Sequence, residues 1–238
     1  MVLLLCPPDD AHALWLAARL RARGREVELV LPEELLIGSR LQLRVNSEGL
    51  DSEARLARGV LLPHRCEGVI NRLQALPPLR AASGRAADAA YLEEEWRAAI
   101  VAWLAALDGE VLNRPTGVSL CGPRFADAHW RWLATQSGLA VLPWSAGTAC
   151  ELPAGADDGP GECVFVVDGQ VIDPGRLLSP PACTALAALA QAAQLRLCGA
   201  SFDCTAAQPR LMRLDPLAPL AAGGPALVEA IESALGLS

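Results

Sequence analysis

Two aspartates on neighbouring apolar runs are the residues of this sequence with the clearest chemical potential. In GASFDCTAAQPRLMRLDPLAP (199–219), Asp203 and Asp215 stand on segments that read as two strands joined by a polar turn. Carboxylates placed this way are oxygen donors suited to a hard cation such as magnesium. Arg213, two residues before Asp215, disturbs that reading. A guanidinium supplies no oxygen ligand and repels a cation. It could instead form a bidentate pair with Asp203 or Asp215, replacing the cation with a fixed positive charge.

Other chemistry is thinner. INRL and NRPTG place an Asn-Arg pair at two strand ends, where α/β folds bind ligands. Arg72 and Arg114 are therefore candidates to grip an anion, although solvent-facing strand-end caps carry the same pattern. In PHRC, His64 stands two residues from Cys66 and could serve as a base beside a thiol, or belong to an ordinary surface loop. Sequence adjacency gives no hydrogen-bond geometry, and no catalytic residue is assigned. The histidines are His12, His64 and His129, and none lies in a GxSxG elbow. No GxGxxG or GxxxxGK[ST] loop occurs. The 8 cysteines are widely spaced with no CxxC pair, which argues against a zinc site and a disulfide framework and for small core residues.

The elements that must position these residues alternate between strand and helix. VLLLC is a buried strand, and Asp9 or Asp10 caps the helix AHALWLAARLRARG, ended by Gly24. EVELVLP is the next strand, so the opening is a β-α-β unit with a parallel sheet. RGVLLP and EGVINRL add strands, a long amphipathic helix covers about 86–107, and GEVLNRP is a strand ended by Pro115. In the second half, PRFADAHWRWLATQSG is expected to be a helix with Pro123 at its start, and LAVLP a strand. GTACELPAGADDGPGE reads as a loop, CVFVVDGQVID as a hairpin turning at Asp168-Gly169, and about 182–195 as an Ala/Leu-rich helix. The stretch containing Asp203 and Asp215 is a second hairpin, and GPALVEAIESALGL closes the chain as a helix.

Composition limits the function classes. The 238 residues are 52% hydrophobic and 20% charged, enough for a buried core. The 20 basic and 27 acidic residues give a net charge of −7 without a basic stripe, which argues against a nucleic-acid partner. Every basic residue is Arg, so a mechanism needing a lysine amine is excluded. No apolar run approaches the roughly 20 residues of a membrane span. The N-terminus lacks the basic region and cleavage site of a signal peptide. No membrane partner and a cytoplasmic location are the expectations.

In order, GVINR, a long helix containing YLEEEW, EVLNRP and a helix leading into SGLAVLP resemble the N-terminal half of ATP-grasp ligases. The nearest branch is the RimK-like group and the ligases that close side-chain rings in ribosomal peptides. CVFVVDGQVID resembles a strand pair of the nucleotide-binding region, and the helix and strands from Leu186 to Pro219 resemble the metal-binding end. The resemblance implies an α/β fold: a parallel-sheet pre-ATP-grasp domain over 1–115, then a truncated ATP-grasp domain over 116–238. In that family, ATP phosphorylates a carboxylate and the acyl phosphate is joined to an amine or thiol, with magnesium bridging the phosphates.

Several departures accompany the resemblance. The family carries a Lys near the start of the helix preceding SGLAVLP, where this sequence has RFADAH, with Asp127 near that position. A second Lys and a glycine-rich phosphate lid would have to fall between Thr148 and Cys163, which leaves no room for them. Against the family's metal pattern, Asp203 keeps the first Asp, Arg213 falls on a Glu, Asp215 on an Asn, and Pro219 keeps the Pro. Losing charge neutralisation and water exclusion removes most of what phosphoryl transfer relies on. The resemblance with its departures implies a catalytically degenerate ATP-grasp-like protein needing no cofactor. It would bind a protein or peptide partner, such as an active ligase or a precursor peptide, with Arg72, Arg114 and Arg213 as ligand contacts. The alternative is an ATP-dependent peptide ligase with non-standard nucleotide contacts, which would require ATP and magnesium.

Overall fold

Asp10 starts the first helix by placing its Oδ1 3.1 Å from the His12 amide and 3.0 Å from the Ala13 amide, satisfying two donors that a helix start leaves without partners. That helix, α1 (Ala11–Ala22), follows β1 (Val2–Leu5) and leads to β2 (Val27–Val30). In the computed structural model, described over residues 1–36, 39–47, 49–56, 58, 61–62, 65–78, 86–143 and 162–237, the chain divides into two units. One comprises Met1–Pro123 with Glu232–Ser238, the other Arg124–Ile231.

In the first unit, β2 is followed by α2 (Pro32–Leu36), β3 (Arg40–Asn46), β4 (Gly49–Arg55), β5 (Leu61–Leu62), β6 (Arg65–Asn71), α3 (Ala86–Ala106) and β7 (Asp108–Leu112). Its main sheet has the order β2-β1-β6-β7, and every pair is parallel. All four residues of β1 are buried, the continuous apolar run expected of a strand covered on both faces. Leu3, Leu5, Val69, Val111, Ile100, Trp103 and Leu104 share one core. A separate antiparallel sheet, β3-β4-β5, packs against α3 through Leu41 and Ala54.

The second unit contains α4 (Asp127–Gln136), β8 (Glu162–Val167), β9 (Gln170–Ile172), α5 (Pro180–Ala192), β10 (Leu197–Asp203), β11 (Arg210–Asp215), a 3-10 turn (Leu220–Gly223) and α6 (Gly224–Ala234), whose last residues belong to the first unit. Its antiparallel sheet runs β11-β10-β8-β9. Val164, Val166, Ala200 and Phe202 meet Leu186, Leu189 and Ala190 of α5 in a second core.

Local expectations are met where residue chemistry is specific. Asp168 (φ 48°) and Gly169 (φ 83°) are both left-handed, as the two-residue hairpin turn requires. Three expectations need correction. Helix α4 starts at Asp127 after an extended Ala126, not at Pro123. LAVLP contributes a single parallel bridge, Val141 to Leu211, not a strand. Helix α5 begins at Pro180 and ends at Ala192, with Gln194 left-handed (φ 55°) beyond it. No helix among the described residues is long and apolar enough to cross a membrane.

Candidate functional site

Asp203 and Asp215 lie on one strand pair, as expected, but the register separates their partners. Asp215 lies opposite Gly199, Arg213 opposite Ser201, and Asp203 opposite Arg210, with an irregularity between Ser201 and Phe202. An extra residue in one strand shifts all subsequent pairings. Asp203 therefore faces Arg210, a partner that sequence reasoning missed; its position at the far end of the same two-strand stretch was the available signal.

Asp203 Oδ2 accepts from Arg210 Nη2 at 2.5 Å, and Oδ1 accepts from the Thr205 amide at 2.9 Å and hydroxyl at 2.7 Å. The hydrogen bonds from Thr205, then that from Arg210, pull the carboxyl down to about 2, because each donor favours the ionised form. Asp215 Oδ2 lies 3.0 Å from Arg213 Nη2, and its Oδ1 accepts from the Leu217 amide at 2.8 Å. Arg213 is 64% exposed. All four carboxylate oxygens are thus engaged by the protein's own cationic, amide or hydroxyl groups. Among the described residues no group of three or more His, Cys, Asp and Glu is arranged to hold a metal ion.

Arg72 and Arg114 follow β6 and β7 in the first unit. Arg72 is 2% exposed, and its Nε donates to Asp10 Oδ2 at 2.7 Å and its Nη2 to Asp10 Oδ1 at 3.3 Å. Burial raises the Asp10 carboxyl; hydrogen bonds from Arg72, Ala13 and His12 outweigh it and leave the group below its ordinary value. The neighbouring Asn71 is fully buried, donating to the carbonyls of Asn113 (2.9 Å) and Leu120 (2.6 Å), and its Oδ1 accepts from the Leu73 amide. These bonds fix the loops at the carboxyl ends of the parallel strands. Arg114 is exposed and turns back to donate to the carbonyls of Gly109 (3.1 Å) and Ala105 (3.5 Å), near the end of α3 where a cation complements the helix dipole. The two guanidiniums thus have different partners.

Cys66 is half-buried, whereas His64 lies outside the described residues, as does the expected loop between Thr148 and Cys163 apart from Glu162. Burial and nearby Asp215 push the Cys163 thiol up to about 11; burial, Cys163 and Asp215 push Cys198 to about 12. Neither is a nucleophile at neutral pH. The first unit has a cleft of about 220 Å³ between the 74–77 segment and Glu93, Glu94, Trp96 and Arg97 of α3. The second unit has one of about 350 Å³ bordered by Leu139, Leu178, Ala182, Phe202 and Pro209.

The fold is similar to that of several solved ATP-grasp ligases. The ligase PsnB, solved with precursor peptide PsnA2 and AMPPNP, aligns with a TM-score of 0.68 and 16% identity over 99% of this chain and 98% of its own. The macrocyclase MdnC from Microcystis aeruginosa MRC, bound with precursor peptide MdnA, gives 0.69 and 11% over 99% and 100%. A RiPP-associated ATP-grasp ligase from Chryseobacterium gregarium, in complex with ADP and a leader and core peptide, gives 0.56 and 10% over 99% and 94%. No protein-family profile and no curated protein matches the sequence. The chain has an ATP-grasp-like α/β fold.

Proposed function

We propose that this ATP-grasp-like chain is a peptide-binding recognition subunit of a peptide-modification pathway and that it does not carry out ATP-dependent ligation. The observation that carries this reading is the strand pair β10–β11, in which Arg210 and Arg213 engage Asp203 and Asp215. Magnesium takes oxygen ligands at about 2.0–2.1 Å in near-octahedral geometry. The donor set here does not fit it, since each carboxylate already has an arginine beside it and Arg213 adds positive charge where a further oxygen would be needed. The peptide-complexed ligases that share the fold support the peptide as partner class.

Titration with Mg-ATP tests the reading. A ligand that prefers the native state raises the melting temperature by linkage, so the expected result is an unchanged transition and no binding heat. A saturable rise with Mg-ATP would overturn the reading in favour of a ligase with non-standard nucleotide contacts. Arg213→Glu supplies the matching gain-of-function control: it is expected to bind magnesium more tightly than the wild type, and equal affinities would show that Arg213 does not exclude the ion.

A further inference from the structure

Among the described residues, the first unit has a sheet edge with no further strand on it and a defined chemical pattern. Strand β3 (Arg40-Leu-Gln-Leu-Arg-Val-Asn46) pairs with β4 on one side and is the outer strand of its sheet. Among the described residues, no backbone hydrogen bond reaches its other side. A seven-residue edge normally has its unpaired N–H and C=O groups covered or interrupted. Here there is neither a proline nor an irregularity in the β3–β4 register.

The two faces differ. Leu41 packs against the core, and Leu43 (36% exposed) and Val45 (83% exposed) continue the same face into solvent. The opposite face carries Arg40, Gln42 and Arg44, which stand in register with Arg55, Glu53 and Asp51 of β4. Both charged residues of the edge strand are arginines; the two acids lie one strand inward. Among the described residues Arg40 and Arg44 have no acidic partner, and Gln42 between them can accept from either. In a chain of net charge −7, this edge is locally cationic.

We infer that β3 docks an extended peptide by strand addition, selecting carboxylates four residues apart for Arg40 and Arg44 and apolar residues at the alternate positions for Leu43 and Val45. Residues four apart on a strand share a face and span about 13 Å, so both ion pairs form in one register. Main-chain bonds supply affinity and alternate side chains supply selectivity. Self-pairing of β3 centred on Gln42 is disfavoured, because it places Arg40 opposite Arg44, and like charges directly opposite are destabilising. The inference rests on the peptide-partner part of the proposed function.

Titration calorimetry with acetyl-Gly-Glu-Val-Gln-Val-Glu-Val-Gly-amide on the full chain tests it. Saturable binding is expected, weakened about tenfold or more when both Glu are Lys, a loss of about 1.4 kcal/mol. It is weakened similarly when alternate amides are N-methylated, which keeps charge and shape but removes main-chain donors. The double variant Arg40→Glu with Arg44→Glu, both exposed positions, reverses the preference toward the Lys peptide. No binding, equal binding of the Glu and Lys peptides, indifference to N-methylation, or concentration-dependent dimerisation in sedimentation overturns the inference. Mg-ATP titration of the same sample separates the readings: nucleotide binding would sink the loss of ligation and leave strand addition standing, and peptide failure would do the reverse.

Discussion

Arg210 Nη2 lies 2.5 Å from Asp203 Oδ2 across the β10–β11 pair, while Thr205 occupies the other carboxylate oxygen. The aspartate is held as an anion by three donors from its own hairpin. Arg213 does not take part in that arrangement. Exposed on the same strand pair, it engages Asp215 instead.

The first prediction concerns acid stability. The Asp203 carboxyl titrates at about 2 in the folded chain, against about 3.9 in an unfolded one. A depressed folded value means that its stabilising contribution is complete above about pH 4, declines as pH falls toward 2, and is gone below both values. Chemical denaturation between pH 2 and 5 should show the wild type losing stability more steeply than Asp203→Asn. Parallel profiles for the two proteins would contradict the assignment.

The buried pair Asp10–Arg72 makes a second prediction. Arg72 has 3% and Asp10 8% side-chain exposure, so removing one partner leaves the other desolvated, at a cost of about 3–5 kcal/mol. Arg72→Met should show this loss in urea denaturation at pH 7. The difference should narrow as pH falls through the carboxylate range, where the stranded carboxyl can protonate and the stability that the wild type gains from its depressed Asp10 is progressively lost. Asp10→Asn together with Arg72→Met should recover part of it, giving a coupling energy well above the scatter of independent sites. Additive losses would mean that the pair is not a unit.

Particular residues show how much was readable in advance. The Asp168-Gly169 hairpin was legible because both positions are left-handed, which few residue types tolerate. The parallel strands were legible from uninterrupted apolar runs. Pro123 misled because proline at a first helical turn is a preference and not a requirement; Pro180 obeys it in α5, whereas α4 waits until Asp127. LAVLP is apolar enough for a strand but reaches β11 through one bridge. The β3–β4 hairpin was missed although Leu41, Leu43 and Val45 alternate with Arg40, Gln42 and Arg44, a period of two visible in the sequence. At the candidate site, Asp215 was one of the two partners that the sequence offered Arg213, whereas Arg210 beside Asp203 was not legible, because the irregular step between Ser201 and Phe202 sets which arginine faces which aspartate.

Glu232 provides a third prediction, at the C-terminal end of the first unit. With 7% side-chain exposure it accepts from Arg23 Nε at 2.7 Å and Arg25 Nε at 2.9 Å, one arginine per oxygen. Each arginine is partly exposed, so Arg23→Ala or Arg25→Ala should cost about 1 kcal/mol or less. Glu232→Ala removes the common acceptor and should cost more than the two single losses together. Limited proteolysis reads this directly, with cleavage after residue 230 expected to accelerate in Glu232→Ala before it does in either arginine variant. Equal rates in all three would show that the fork does not hold the segment.

The fourth prediction isolates packing from backbone freedom at the candidate site. A Cβ on Gly199 would lie 2.6 Å from Ala218 Cβ and 3.0 Å from Cys163 Sγ, so the central strand β10 needs glycine because the chain following Asp215 presses on it. Gly199→Ala forces that chain outward, and overpacking of this kind costs about 1–3 kcal/mol. Gly169 needs glycine for another reason: its φ is 83°, and nothing lies within 4 Å of an added Cβ. Gly169→Ala should cost about 1–2 kcal/mol through the backbone alone. Ala218→Gly separates the two causes, since it removes the methyl that the new Cβ meets. In thermal denaturation it should restore most of the Gly199→Ala loss and none of the Gly169→Ala loss. Because Asp215 lies opposite Gly199, the uncorrected Gly199→Ala protein should also loosen the Arg213–Asp215 contact, seen as a shifted Asp215 carboxyl resonance that returns with Ala218→Gly. A resonance unmoved by either change would show that the pressed chain and the Asp215 carboxylate move independently.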